Sequence, residues 1–488
     1  MTLHPLVLLS PHDSQSIDSA FGEDGHVRAV EGAGWAVARA IRARYAPCKT
    51  VVVCGPGFNG ADGYVAARWL EVWGWSVVVL AVAAPKKDSL VEVIARSWRG
   101  RTFSEDGGRI ANADLVVDAV FGAGLSRPLS DGLSHILRQA NRLVAIDVPS
   151  GVCGETGRLL GSVKKAELTI SFIRPRPAHF LEPAKALCGE IVCADIGLPA
   201  DAVNEVKPRV FLNEPGLWLL PVADRGDHKY SRGVVSICGA DKMTGAVRIA
   251  AQAARSSGAG LVRILGGDVA LYRHSEPGLI VDDVPIGEAV KDSRRQVWLC
   301  GPGLSNAEVE AYLPQLISAG KTILADAGAL GTGAEAVEAL RGVSVITPHM
   351  GEFRRLFGAL AESPRIEAAR QAAQCVGAVV VLKGSDTIIA APDGRVAINQ
   401  HASPALATAG SGDTLAGIVS ALLAGGMPAW EASCAAVWLH GDAGIAAASE
   451  YGGWPVVEAL EKGLGRARQR AEKHQNAKNY KNLPFARL

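Results

Sequence analysis

The sequence predicts an α/β protein in two successive parts, each built on a largely parallel sheet with helices packed on it, and three observations carry that prediction. Short apolar runs alternate with Ala-rich helical stretches along the 488 residues. Nearly every apolar run stops at a cluster of Gly, Asp, Asn, His or Lys. The rhythm breaks once, between about Pro199 and Arg225, where Pro208, Pro215 and Pro221 interrupt any regular element. The length also exceeds what one ordinary core supports, so two domains or three are expected.

Composition narrows the function classes. The 50 Lys and Arg nearly cancel the 49 Asp and Glu, so no global field is available to attract nucleic acid. The nine Cys are scattered without a C-x-x-C pair, and several sit in apolar runs, which fits buried thiols in a reducing compartment better than disulfides or zinc. Met1 to Ser10 is apolar but short, and lacks a basic lead and a small-residue cleavage site, so no signal peptide is expected. The longest apolar stretch, Leu415 to Leu439, is interrupted by Pro428 and Glu431 and reads as two core helices rather than a membrane span. A cytoplasmic enzyme with no membrane partner is the expectation.

In the first half, a helix is predicted over Val27–Arg44 and a strand over Thr50–Cys54 that runs into Gly55-Pro56-Gly57-Phe58-Asn59-Gly60-Ala61-Asp62-Gly63. A helix over Tyr64–Trp73 and a strand over Ser76–Val82 complete a βαβ unit, and Leu115–Val120 and Leu143–Ile146 supply further strands. The result is a Rossmann-like, three-layer domain, whose ligands bind beyond the carboxyl ends of the strands. The glycine spacing is not the dinucleotide fingerprint, which weakens a simple dehydrogenase reading. What stands at the strand ends is a set of oxygen donors: the Asn59 amide, the Asp118 carboxylate and the Ser150 hydroxyl, with Asp147 as a candidate acid/base group. Hard donors of this kind suit an alkali or alkaline-earth cation. Asp at a strand end also serves simply to cap a loop.

The second half repeats the pattern. Strands are predicted over Val234–Cys238, Leu261–Leu265, Val297–Cys300, Thr322–Ala325, Ser344–Ile346 and Ala378–Leu382, with an Ala-rich helix over Ala246–Ser256. Their ends carry Gly301-Pro302-Gly303, Asp326, Thr347-Pro348-His349-Met350-Gly351-Glu352 and Lys383-Gly384-Ser385-Asp386-Thr387. Last comes Ala407-Thr408-Ala409-Gly410-Ser411-Gly412-Asp413-Thr414, leading into an apolar helix over Ile418–Ala424. Small residues let a backbone approach a ligand, and the free N–H groups of a new helix face an anion. Asp413 is placed to take a proton from a substrate hydroxyl as phosphate arrives, so this run reads as a phosphoryl-transfer site. Two separate sets of strand-end groups imply two active sites on one chain.

Taken together, G-P-G-F-N-G-A-D-G, D-A-V-F-G-A-G-L, D-V-P-S-G, T-P-H-M-G-E, V-L-K-G-S-D-T and A-T-A-G-S-G-D-T-L-A-G-I resemble the bifunctional NAD(P)H-hydrate repair enzymes. In that family an epimerase domain is fused to an ADP-dependent dehydratase domain with a ribokinase-like α/β fold. The resemblance spans about Leu6 to Gly463 and implies an epimerase domain over 1–215, a dehydratase domain over 224–465 and a basic tail over 466–488. The implied substrates are NADHX and NADPHX, reduced nicotinamide nucleotides hydrated at C6. The epimerase would interconvert the R and S epimers. The dehydratase would phosphorylate the S epimer from ADP and eliminate phosphate, giving NAD(P)H and AMP.

The resemblance also implies site residues. Potassium would lie on Asn59, Asp118 and Ser150, with Asp147 acting at C6. Hydrate contacts would come from Phe58, Asn59, Gly60, Ala61 and Asp62, from Gly122, Ala123, Gly124, Leu125, Ser126, Arg127 and Pro128, and from Asp147. In the dehydratase, Asp413 would be the base, with Ala246, Gly303 and His349 lining the hydrate pocket. Lys383, Gly384, Ser385, Asp386, Thr387 and Gly412 would meet the nucleotide, which would bring Mg²⁺, with Glu352 nearby. A homo-oligomer is implied. A bland alternative for His349 is a hydrogen bond to its own loop.

The chain departs from the family's N-N-G-G-D-G at Phe58 and Ala61. If position 61 requires a positive φ, Ala costs on the order of 1 kcal/mol. Gly328 stands where many relatives carry a second acid, and Ser403 and Ala405 replace the commoner Asn and Gly. Two rival readings remain: a ribokinase-like kinase of a small alcohol, and a chain whose N-terminal half only binds or assembles. The tail, with Arg468, Arg470, Lys473, Lys478 and Lys481, reads as a solvated extension.

Overall fold

The computed structural model describes residues 5–19, 23–197, 206–476 and 485–487. The chain forms two compact units, Met1–Val210 with Tyr480–Leu488, and Phe211–Asn479. The boundary lies within the Pro-rich break.

In the first unit, β1 (Val7–Leu8) precedes a helix over Pro11–Ser19 and a long one over Glu23–Arg42. The sheet strands follow as β2 (Lys49–Cys54), β3 (Ser76–Ala81), β4 (Thr102–Phe103), β5 (Leu115–Ala119), β6 (Leu143–Ile146), β7 (Leu168–Phe172) and β8 (Glu190–Ala194). Their order is β8-β7-β6-β5-β2-β3-β4, all parallel, and a final strand, Ala486–Arg487, adds parallel to β8. Alternate residues of β2 face opposite layers, as a strand's period of two requires. Val52 and Cys54 pack with the helices Glu23–Arg42 and Phe58–Val72, while Val51 and Val53 pack with Leu129 and Leu137 on the other side. The order reverses between β2 and β5, the position where an open α/β sheet leaves a crevice for ligand. Gly55 sits at that point; a Cβ there would lie 2.1 Å from the Val120 carbonyl oxygen.

In the second unit the strands are β9 (Val210–Leu212), β10 (Val234–Cys238), β11 (Leu261–Leu265), β12 (Ile280–Asp282), β13 (Val297–Cys300), β14 (Thr322–Ala325), β15 (Val345–Ile346), β16 (Val379–Leu382), β17 (Thr387–Ala390) and β18 (Val396–Asn399). They run in the order β9-β18-β17-β16-β15-β14-β13-β10-β11-β12. The block from β12 to β16 is parallel, and β17 and β18 continue it antiparallel. The carboxyl ends of β10, β13, β14, β15 and β16 therefore share one edge. The helix Ser411–Ala424 packs across Thr244–Ser256 so closely that a Cβ on Gly417 would lie 2.3 Å from the Ala250 carbonyl oxygen.

Three sequence expectations need correcting. The Gly-rich run is not a loop before a helix: the helix begins at Phe58, so Ala61 is helical and has no positive φ. The conditional penalty at Ala61 therefore does not arise. The last helix of the anion motif likewise starts at Ser411 rather than Ile418. The tail is no solvated extension as far as it is described. A helix over Val457–Asn476 includes it, Ala467 and Ala471 are buried, and Arg470 Nε donates to Asp442 at 2.7 Å. Lys478 and Lys481 lie outside the described residues. All nine cysteines are free thiols. Among the described residues no helix is long and apolar enough to cross a membrane.

Candidate active sites

Asp147, directly after β6, organises the first site. Its φ is +67°, an uncommon conformation for a residue with a Cβ, and it is held there from several sides. Its N–H donates to the Ile170 carbonyl at 2.7 Å, and His179 Nε2 lies 2.7 Å from its own carbonyl oxygen. His179 Nδ1 accepts the Arg176 N–H at 3.0 Å, so its proton belongs on Nε2 and the ring donates to Asp147. Burial holds this imidazole neutral, down at about 4. The Asp147 carboxylate accepts from Ala123 N–H at 2.8 Å, Ser171 Oγ at 3.1 Å and Arg176 Nε at 2.8 Å. Burial pushes its pKa up, but the Arg176 guanidinium and these donors outweigh that and hold it below the usual carboxylate range.

Asp118 and Ser150 meet directly: Ser150 Oγ donates to Asp118 Oδ1 at 2.6 Å and Ser150 N–H to Oδ2 at 2.8 Å. Asp118 is 1 % exposed, and burial raises its pKa. Among the described residues no basic side chain pairs with it. Asn59 stands on the other side of Gly122. A Cβ on Gly122 would lie 3.3 Å from Asn59 Oδ1 and 3.0 Å from Asp147 Oδ2, so only Gly leaves this space open. Asn59 Nδ2 is buried without a hydrogen-bond partner among the described residues.

Asn59, Asp147 and Arg176 line a cavity of about 690 Å³, while Asp118 and Ser150 are not among its lining residues. Of the expected hydrate contacts, Phe58, Asn59, Asp62, Gly122, Ala123, Gly124, Leu125, Ser126, Arg127 and Asp147 line it. Gly60, Ala61 and Pro128 do not. A Cβ on Gly60 would lie 1.9 Å from the Gly55 carbonyl oxygen, and Ala61 is part of the hydrophobic core. Pro128 borders a neighbouring cavity instead. Sequence reasoning missed Ser14 and Asp18 from the helix Pro11–Ser19, and His26, Arg176 and Ser171. Arg176 follows a strand end within R-P-R-P-A-H, so the same rule that picked Asp147 would have found it. The helix Pro11–Ser19 carries no such signal.

The second site gathers at the shared edge of β10 and β13 to β16. Gly410 caps the helix Ser411–Ala424 at φ +85°, where a Cβ would also meet Ile249 Cδ1 at 2.8 Å. The Ser411 N–H turns back to the Thr408 carbonyl at 3.3 Å and the Thr414 N–H bonds to Gly410 O at 2.9 Å. Those of Gly412 and Asp413 have no acceptor among the described residues. Two free N–H groups at a helix start form an anion seat. Lys383 Nζ faces it, 3.5 Å from where a Cβ on Gly412 would sit. The same ammonium pairs with Asp326 Oδ1 at 3.0 Å and Glu352 Oε2 at 3.8 Å. Burial pushes the Asp413 carboxyl up to about 6, Asp326 adds to the rise, and Lys383 opposes it. Below the seat, buried His440 lies 3.0 Å from Ser411 Oγ through Nε2.

The other expected residues differ in what the structure gives them. Gly303, at φ +73°, abuts the Met243 carbonyl oxygen, which a Cβ would approach to 2.3 Å, so it adjoins the helix start that carries Ala246. The His349 side chain caps the helix Met350–Phe357: Nδ1 accepts the Gly351 N–H at 2.9 Å and the Glu352 N–H at 3.3 Å. That is the local hydrogen bond of the bland alternative, and Nε2 lies 3.4 Å from Glu352 Oε1. Asp386 is fully buried against Arg365, and Thr387 Oγ1 donates to Gly384 O at 2.8 Å. The Lys383–Thr387 turn thus offers a ligand its main chain, Lys383 and exposed Ser385 rather than the Asp386 carboxylate. Asp326 and His440 were not picked out as site residues from the sequence.

Residues 234–462 match the family model described as NAD(P)H-hydrate dehydratase, and residues 28–178 match that of the YjeF-related protein N-terminus. Over 469 residues the chain is 34 % identical to the bifunctional NAD(P)H-hydrate repair enzyme Nnr of Thermofilum pendens, covering 87 % of this chain and 88 % of that one. The chain belongs to the bifunctional NAD(P)H-hydrate repair enzyme family. The Escherichia coli K12 relative of the same name is 34 % identical over 442 residues, covering 86 % and 85 % of the two chains. A solved ADP/ATP-dependent NAD(P)H-hydrate dehydratase from Bacillus subtilis, co-crystallised with ATP and Mg²⁺, is 28 % identical. It covers 52 % of this chain and 95 % of its own at a TM-score of 0.46. The family membership favours the repair reading over the kinase rival.

Proposed function

We propose that the second unit dehydrates the S epimer of NAD(P)H hydrate with ADP, and that the first unit interconverts the R and S epimers. The observation that carries the dehydratase reading is Asp413, a carboxyl that burial raises to about 6, beside two free N–H groups at a helix start that Lys383 faces. Asp413 accepts the C6 hydroxyl proton while the terminal phosphoryl group of ADP moves to that oxygen. The Gly412 and Asp413 N–H groups and Lys383 hold the transferring phosphate. Loss of phosphate from C6 together with a proton from C5 then forms the C5=C6 double bond and restores the reduced ring, with AMP and phosphate as co-products. Ala246 and Gly303 lie at the hydrate side, and the Lys383–Thr387 turn at the nucleotide. Mg²⁺ accompanying ADP would neutralise phosphate charge, and Asp326 and Glu352, both hard oxygen donors clustered on Lys383, fit it.

In the first unit, Asp118, Ser150 and Asn59 fit a potassium ion. Among the described residues no basic side chain pairs with the buried Asp118 carboxyl, Asn59 offers its Oδ1 beside Gly122, and the donors are all oxygen. Such an ion would fix the Gly122–Pro128 loop against the cavity. The Asp147 carboxylate, held ionised by Arg176, faces C6. A homo-oligomer remains part of this reading, and a monomeric mass by light scattering would contradict it. The test of the pair of activities is Asp413→Asn against Asp147→Asn. The first should stop NAD(P)H formation while R and S still interconvert, and the second should do the reverse.

A further inference from the structure

The first unit's cavity holds two carboxyls of opposite condition. Asp147 is engaged through both oxygens and paired with Arg176. Asp62, one turn after Asn59 on the helix Phe58–Val72, borders the same cavity at 8 % exposure. Its carboxyl has no hydrogen bond and no paired cation among the described residues. The charged and titratable groups around it are Asp147, Asp18 and Cys54, with His26, Arg127 and Arg176 elsewhere on the cavity wall. Arg176 is bound to Asp147 and to the Ser14 hydroxyl, so it is not free to pair with Asp62.

We propose that Asp62 is the proton donor of the epimerase, protonating the C6 hydroxyl as it leaves while Asp147 stays anionic and faces the positive charge that develops on the ring. This deepens the epimerase reading and rests on it. The ring nitrogen N1 supplies the electron pair that forms N1=C6, the C6–O bond breaks, and the oxygen departs as water carrying the Asp62 proton. Water then adds to the opposite face of C6, and the proton it releases restores Asp62. No oxidant or reductant enters, and no proton is gained or lost overall. Burial, then Asp147 and Asp18, raise the Asp62 pKa well above the ordinary range, while Arg176 and the donors around it hold Asp147 below that range. Two carboxyls pushed apart in this way divide acid from base.

The experiment uses the full chain with K⁺ and no ADP, starts from the R epimer, and follows R and S by chromatography between pH 5 and 9. With wild type, the rate should fall as pH rises through the Asp62 titration, and ¹⁸O from solvent should enter C6 with each inversion. Asp62→Asn should lower the rate by roughly 10²–10⁴-fold and abolish that alkaline fall, while Asp62→Glu should recover part of both. Dehydration of the S epimer with ADP serves as the internal control. Asp62→Asn working at wild-type rate, or slow with an unchanged pH profile, would overturn the assignment. So would inversion without ¹⁸O uptake. A wild-type chain that leaves R and S unmixed would remove the epimerase reading itself, and the proposal with it.

Discussion

Asp326→Asn should move the acid limb of the dehydratase reaction to lower pH. Asp413 acts as a base only when ionised, so with its carboxyl at about 6 the wild-type rate should fall as pH drops through that value. Asp326 is the main cause of the rise after burial, and its carboxylate is 2 % exposed, where water screens little. Removing it takes away one repulsion and also frees Lys383 from the 3.0 Å ion pair. Both changes favour ionised Asp413, and together they should lower its pKa by on the order of one unit. At pH 5 the ionised fraction would rise from about a tenth to about a half, so activity relative to the alkaline plateau should rise about five-fold. The assay is kcat/KM for the S hydrate at saturating ADP from pH 5 to 8, read at the reduced-nicotinamide absorbance. The plateau itself falls as Lys383 loses its anchor, so only the position of the limb tests the argument. A limb that stays in place, or moves up, would refute the assignment of Asp413 as the base.

Arg176→Gln should destabilise the first unit by about 3–5 kcal/mol at pH 7, because it leaves the Asp147 charge buried and unpaired. In the wild type Asp147 is depressed, so its stabilising contribution is present above the unfolded pKa and is lost as pH falls through the folded value. In the variant, burial is left with fewer opponents and that sign reverses. The deficit should therefore shrink toward pH 5 in calorimetry, and a pH-independent deficit would contradict this. Ala61→Gly, which restores the family residue, should cost about 1 kcal/mol of helix stability and leave epimerisation no faster. A faster enzyme would show that the position contacts the hydrate after all. Gly417→Ala should lower the second unit's melting temperature through overpacking of about 1–3 kcal/mol against Ala250, while an unchanged melt would mean the two helices can part freely.

Much of this was legible before the structure. The period-two apolar runs locate the strands, and the polar residues that end them locate Asp118, Asp147 and Lys383, because a parallel sheet brings its carboxyl ends to one edge. Where helices begin was less legible. Gly-rich runs such as 57–63 and 410–412 look like loops by propensity, yet packing against Gly55 and Ala250 draws Phe58 and Ser411 into helices. Least legible were partners from distant segments. Ser14 reaches Arg176 across 162 residues and Ser411 meets His440 across 29, and no local pattern marks either pair. The Ala61 question shows the limit from the other side, since a motif position that seemed to demand glycine proved to be an ordinary helical core site.

The claim that one chain carries two complementary active sites is tested most directly by a single incubation. The intact protein is given a mixture of R and S NADH hydrates with ADP, Mg²⁺ and K⁺, and the reduced-nicotinamide band is followed to its end. Complete conversion of both epimers is the predicted result. Conversion that stops with the R epimer left would contradict the first site, and no conversion at all would contradict the account as a whole.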